Sequence, residues 1–305
     1  MAELAHRNPT VTSYMRYRAE QAGRAPDPGL IQWVPLGDIS PYLVSAVVGA
    51  EDPVFCRHGG IWWSGLRKSI GKAIRERKGV RGVSTITQQL ARNLYLRPDR
   101  SMRRKVQEAL VARQLERVLT KERILELYLN VVEWGEGIWG VGMAAREHFS
   151  RPAAELDAFQ AVVLSSLLPA PRRPLRDQNA RRAVGYQKAA LQALYGSGAV
   201  SRDEGQQIRA RIVELERALA EGVPAPDVLR RSTGRPIQPT PRDGPAISVR
   251  SLVADHFGVE RRRAFWRFRE AVLRERRAPE TPLWWTGEPE QARELLARAP
   301  LREEG

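Results

Sequence analysis

Residues 82–93 read Gly-Val-Ser-Thr-Ile-Thr-Gln-Gln-Leu-Ala-Arg-Asn. Thr85 and Gln88 stand three apart, the spacing at which a cap hydroxyl and a returning side chain satisfy the first free N–H groups of a helix. A helix is therefore predicted to start here. Its free N–H groups and positive dipole end make that start an anion site. Ser84 and Thr87 add hydroxyls, and Gln88/Arg92 and Gln89/Asn93 stack at i,i+4. The plain alternative is a polar surface helix. The density of uncharged donors weighs against it, because a solvated face normally uses Lys and Glu.

The helical texture continues on both sides. Residues 40–170 hold most of the long helical patterns, and 175–221 extend them with a break at Gly196-Ser197-Gly198. No internal repeat and no sustained period-two pattern occurs, so the fold class is mainly α with at most a short hairpin. Ala25-Pro26-Asp27-Pro28-Gly29 reads as a turn inside an N-terminal segment, 1–30, with few periodic signals. The main domain is placed at 31–221. Prolines 224, 226, 236, 239, 241 and 245 mark a linker over 222–246. An Arg-rich extension, 247–305, carries short helical patterns around 252–277 and 290–299 and has no assigned role.

Composition narrows the function classes. The chain has 305 residues, with 50 Lys+Arg against 35 Asp+Glu, for a formal charge of +15. Hydrophobic residues make up 42%, enough for a real core. A single cysteine, Cys56, excludes an internal disulfide framework and a multi-cysteine metal site. Histidines at 6, 58, 148 and 256 are too scattered for a histidine metal cluster. The longest apolar runs, 43–50 and 161–170, fall short of the roughly 18–20 residues of a spanning helix. The first ten residues lack the apolar core of a signal peptide. The positive charge calls for an anionic partner: nucleic acid, anionic lipid or a phosphorylated substrate.

Four further stretches carry chemistry. At 51–60, an apolar helical run ends at Glu51 and Asp52, and Pro53 limits its continuation. A carboxylate at the end of an apolar element is expected to titrate high, as a general base or acid requires. Taken alone, the pair favours the plain reading of two solvated residues. Around 100–108, Arg104 and Glu108 lie at i,i+4. They make either a surface ion pair worth ~0.3–0.5 kcal/mol or a phosphate clamp whose carboxylate could hold a divalent cation. Over 120–142, Ile124, Leu125, Tyr128, Leu129 and Val132 form an apolar face capped by Thr120, followed by a glycine-rich loop. Between 57 and 81 there are eight Lys/Arg and one acid, with Trp62, Trp63, Leu66, Ile70 and Ile74 at helical spacing. Such a basic amphipathic helix suits a membrane interface or nucleic acid, or a charged surface helix with a core-facing stripe.

In order and spacing these motifs resemble family 51 of the glycosyltransferases, the peptidoglycan transglycosylases, and most closely the monofunctional biosynthetic type. The family's Glu-Asp-x-x-Phe-x-x-His-x-Gly is met by Glu51, Asp52, Phe55, His58 and Gly60. Its Gly-x-Ser-Thr-Ile-x-Gln-Gln-x-x-Lys-Asn is met over 82–93, with Arg92 where Lys is usual. Its Arg-Lys-x-x-Glu is met by Arg104, Lys105 and Glu108, and its Ile-Leu-x-x-Tyr-Leu-Asn run with glycine loop by residues 124–142. The stretch 156–171 looks like the fifth motif, with Gln160 where Glu is typical. The likeness covers roughly 31–220, and five ordered motifs are far more specific than one.

The resemblance implies a lysozyme-like helical head with a small membrane-touching jaw near 59–81. It implies polymerisation of glycan strands: transfer of the growing lipid-linked chain onto the 4-hydroxyl of lipid II, releasing undecaprenyl pyrophosphate. By carry-over, Glu51 is the general base and Glu108 sits at the donor pyrophosphate, directly or through Mg2+ or Mn2+. Arg92, Arg100, Arg104 and Lys105 form the pyrophosphate pocket. Asp52, Ser84, Thr85, Gln88, Gln89 and Asn93 complete the substrate-binding set. His58 is read as fixing the loop beside Glu51, Cys56 as a small filler, and Glu133 as a third carboxylate on the acceptor side. Implied partners are lipid II, the growing chain, the membrane surface through the tryptophan-bearing basic segment, and cell-wall synthesis or division proteins. The implied location is the extracytoplasmic face of a bacterial inner membrane, although no membrane helix or signal peptide is visible. Two departures stand out: Arg92 replaces a point charge by a planar fork, and Gln160 removes a carboxylate. With the unplaced extension, Gln160 motivates an alternative, a non-catalytic lipid II-binding scaffold. A lysozyme-like hydrolase is a second alternative. A nucleic-acid binder rests on charge alone and explains none of the five motifs.

Overall fold

The computed structural model describes residues 1–77, 84–98, 101–173, 180–223 and Leu229. Expectations for Arg100, for Gly82 and Val83, and for nearly all of the linker and the extension lie outside these residues.

Two apolar helices form the centre. α2 (Pro41–Glu51) starts with proline in its first turn, where the missing N–H costs nothing, and buries residues 41–48. α8 (Ala158–Leu167) is buried on every side, the pattern of a helix at the heart of a head domain. Its start explains Gln160. Asp157 Oδ1 accepts the Gln160 N–H at 2.8 Å, and Gln160 Oε1 accepts the Asp157 N–H at 3.0 Å. Glu or Gln closes such a capping box equally well. At 0% exposure the neutral amide avoids stranding a charge. Gln160 is thus a framework residue, which removes one of the two motives for a non-catalytic scaffold; the other, the C-terminal extension, lies outside the described residues.

α9 (Ala180–Gly196) packs on both central helices. A Cβ at Gly49 would lie 2.1 Å from the Ala193 Cβ, so α2 and α9 approach backbone-close. α10 (Arg202–Ala220) closes the head through Ile208, Ile212, Leu215 and Leu219. In front lie α4 (Ile86–Tyr95), α5 (Met102–Val118) and α6 (Lys121–Val131), each entered through a hydroxyl cap: Thr85, Ser101 and Thr120. The glycine-rich loop is a two-stranded antiparallel hairpin, β1 (Glu133–Gly135) with β2 (Ile138–Trp139), Glu133 opposite Trp139. It runs into α7 (Gly140–Phe149) through Gly140 at φ +78°, where a Cβ would sit 2.6 Å from the Asn130 carbonyl.

The N-terminal segment carries α1 (Ser13–Gln21), which packs on α4 and buries Met15 and Ala19. A stripe of two buried positions is too short for periodicity to reveal. α3 (Trp63–Glu76), in the expected jaw, does not turn its apolar stripe to the core: Trp63 is 63% exposed and Ile74 73%. The outer face of α5 is similarly bare at Met102, Val106 and Leu110.

Candidate active site

α2 ends at Glu51, and α4 runs past it. Gln89 Nε2 donates to Glu51 Oε2 at 2.6 Å. Tyr128, fully buried on α6, donates to Gln89 Oε1 at 3.1 Å. Burial pushes the Tyr128 hydroxyl well above its ordinary range, so it stays a donor. The amide of Gln89 is therefore held in one orientation, and it aims the Glu51 carboxylate.

From Gln89 the cleft widens to about 380 Å³, lined by Tyr14, Gln89, Arg92, Asn93, Arg104 and Glu133 among others. Along α5, Glu108 is 1% exposed. Arg104 Nη1 donates to its Oε2 at 2.6 Å, and Lys105 Nζ to its Oε1. Lys105 also donates to Ser84 Oγ at 2.9 Å. Glu108 thus positions two cations, the arrangement that suits a phosphorylated leaving group. Both oxygens already face cations, so a divalent ion at the donor pyrophosphate would share Glu108 with Arg104 and Lys105.

Not all the expected substrate contacts face the cleft. Asp52 is 2% exposed; its Oδ2 accepts the Ile86 N–H at 3.0 Å and faces His58 Nε2 at 2.8 Å. Hence the anion site foreseen at the start of α4 is filled by the protein's own carboxylate. Gly60 donates its N–H to His58 Nδ1 at 3.1 Å, which makes Nε2 the proton-bearing nitrogen toward Asp52. Thr85 donates to the Gly60 carbonyl at 2.6 Å and caps α4 with Gln88, and both are buried. Asp52, Thr85 and Gln88 therefore build the frame around Glu51, and His58 holds the loop. Asn93 braces α4 through its Nδ2 on the Gln89 carbonyl at 2.9 Å while lining the cleft. Thr87 is buried and donates to Glu116. Cys56 is half-buried, and burial pushes its thiol up to about 11, which suits a filler and not a nucleophile.

Two cleft residues have no signal in the sequence. Tyr14 lines the cleft, and Arg18 donates to Tyr14 at 3.0 Å and to Glu133 Oε2 at 3.2 Å. Both come from α1. Only the fold brings that helix to Glu133, 115 residues away in the chain.

Comparison with known proteins bears on this geometry. A family model described as Transglycosylase matches residues 22–195. The chain is 42% identical over 195 residues to the biosynthetic peptidoglycan transglycosylase of Aromatoleum aromaticum, covering 63% of this chain and 85% of that protein. It is 46% identical over 179 residues to the protein of that name from Azoarcus sp. strain BH72, covering 58% and 78%. The figures for the Bordetella pertussis protein of that name are 46% over 181 residues, 57% and 75%.

Proposed function

The chain belongs to the transglycosylase family, and we propose that it builds peptidoglycan strands with Glu51 as base and the cations on Glu108 as the leaving-group pocket. It is a peptidoglycan glycosyltransferase: the growing lipid-linked chain is donor and lipid II is acceptor. Glu51 takes the proton of the acceptor 4-hydroxyl as that oxygen bonds to the donor's anomeric carbon. The anomeric C–O bond to the pyrophosphate breaks, and undecaprenyl pyrophosphate leaves with the electron pair. Arg92, Arg104 and Lys105 compensate its charge in a site partly shielded from water. Gln89 aims the base, Asn93 lines the cleft beside it, and Ser84 holds Lys105. The observation that carries this reading is one cleft lined both by Gln89, which donates to Glu51, and by Arg104, which donates to Glu108.

The membrane part of the reading rests on α3 and α5. Their exposed apolar side chains, Trp63, Ile70, Ile74, Met102, Val106 and Leu110, are interleaved with Arg67, Lys68, Lys72, Arg103 and Arg113. Apolar stripes with cations beside them suit an anionic bilayer surface. That seating would bring the cleft to a lipid-linked substrate at the extracytoplasmic face. Among the described residues no helix is long and apolar enough to cross a membrane.

The test is polymerisation of purified lipid II by wild type beside Glu51→Gln. Polymer from the former and none from the latter is expected. No polymer from pure wild-type protein across several detergents and ionic conditions would sink the reading.

A further inference from the structure

α1 precedes the stretch 22–195 matched by the family model, yet it forms one wall of the cleft. Its Arg18 binds Glu133 Oε2 through Nη2, while Glu133 Oε1 accepts the Gly137 N–H at 3.3 Å. The Glu133 side chain is 5% exposed. Burial pushes its carboxyl above the ordinary range, and the Arg18 charge is the largest influence opposing that. A carboxylate kept in so dry a place is costly unless it is paired. Neither the base nor the leaving-group pocket uses it. A staple between α1 and the hairpin could have been built from apolar side chains at less cost.

The geometry leaves capacity on both partners. A carboxylate offers about four lone-pair positions, and the bonds from Arg18 and Gly137 fill two of those on Glu133. The Arg18 Nε–H is buried with no protein partner, a donor that calls for a ligand or water. Arg18 is also held from below, its guanidinium 4.9 Å from the centre of the Tyr14 ring. Tyr14 in turn meets Trp139 edge-on at 6.0 Å, so the wall is braced from the hairpin side. Glycan hydroxyls and amide N–H groups are the donors that fit such acceptor positions.

We propose that Arg18 is a positioning residue for polymerisation: it fixes Glu133 at the cleft wall as an acceptor for the hydroxyl and amide donors of the bound glycan, beside Tyr14. This rests on the transglycosylase reading and adds a substrate-contact residue, Glu133, and its orienting helix. Because Glu133 takes no part in bond making or breaking, its loss weakens binding in ground and transition states alike.

Steady-state polymerisation kinetics on lipid II test this with Arg18→Ala, Arg18→Lys and Glu133→Gln, alongside melting curves. Arg18→Ala and Glu133→Gln should each raise KM by about ten-fold, the usual scale for losing a bond to a charged group, with kcat within about two-fold. Arg18→Lys should recover much of the loss, and the Arg18→Ala/Glu133→Gln double variant should be little worse than either single one. A lowered melting temperature with KM unchanged in both single variants would make the pair a mere staple and overturn the proposal. A fall in kcat alone would overturn it too. Should wild type make no polymer, the functional reading fails separately. Direct binding of lipid II to wild type and to Arg18→Ala then decides: about ten-fold weaker binding supports the inference, and equal binding ends it.

Discussion

At one end of the cleft, Glu51 is half-buried and takes its hydrogen bond from the Gln89 amide, itself fixed by Tyr128. At the other end, Glu108 is buried between Arg104 and Lys105. The donors differ. An amide hydrogen bond orients Glu51 without neutralising its charge. Two cations meet Glu108, which serves as a post on which positive charge is mounted. The contrast between the two carboxylates lies in the charge of these donors.

Substitutions can break that contrast, the strongest first. Glu51→Gln keeps the shape and the Gln89 contact but removes the base, and turnover on lipid II should fall roughly 10²–10⁴-fold. A loss below ten-fold would mean that the base lies elsewhere. Glu108→Gln leaves Arg104 and Lys105 repelling each other without their shared partner. Turnover should fall on the order of 10²-fold and the melting temperature should drop, because a buried charge network loses its centre. Unchanged stability would show that Glu108 is not what holds the two cations. Gln89→Ala removes the Gln89 hydrogen bond to Glu51 without altering any charge. A loss of about ten-fold is expected, with kcat affected more than KM. Were Gln89→Ala as severe as Glu51→Gln, Gln89 would itself be making contacts in the transition state.

The smallest effect concerns Cys56, in the loop that follows Glu51. Burial raises the Cys56 thiol to about 11 against the downward pull of Lys121. Iodoacetamide at pH 8 should therefore modify the folded protein roughly 10²-fold more slowly than the unfolded chain, following the thiolate fraction. Alkylation at the free-thiol rate would show that burial does not shield this thiol. Cys56→Ala should leave turnover within about two-fold, as expected of a surface-to-core filler.

Much of this was legible in the sequence because it is local. The capping box of Thr85 and Gln88, the Arg104–Glu108 spacing, the Thr120 cap and the glycine hairpin depend on neighbours a few residues apart. What was not legible depends on distance along the chain. The start of α4 has the features of an anion site, but the anion turns out to be Asp52, 34 residues upstream. Tyr14 and Arg18 matter only because α1 lies against α4 beside the hairpin. The bare stripe of Met102, Val106 and Leu110 keeps helical spacing, but spacing alone does not say whether a stripe meets a core or a bilayer.

The close approach of Gly49 to Ala193 reaches further than packing. Gly49 lies two residues before Glu51, and Ala193 lies just inside the C-terminal limit of the family match at residue 195. The end of α2 that carries Glu51 is thus gauged against the end of α9, with a tolerance smaller than one methyl group. Gly49→Ala would lift α2 from α9 and carry Glu51 away from Gln89, although neither residue touches substrate. A chain shortened before residue 193 would lose the surface against which Glu51 is set.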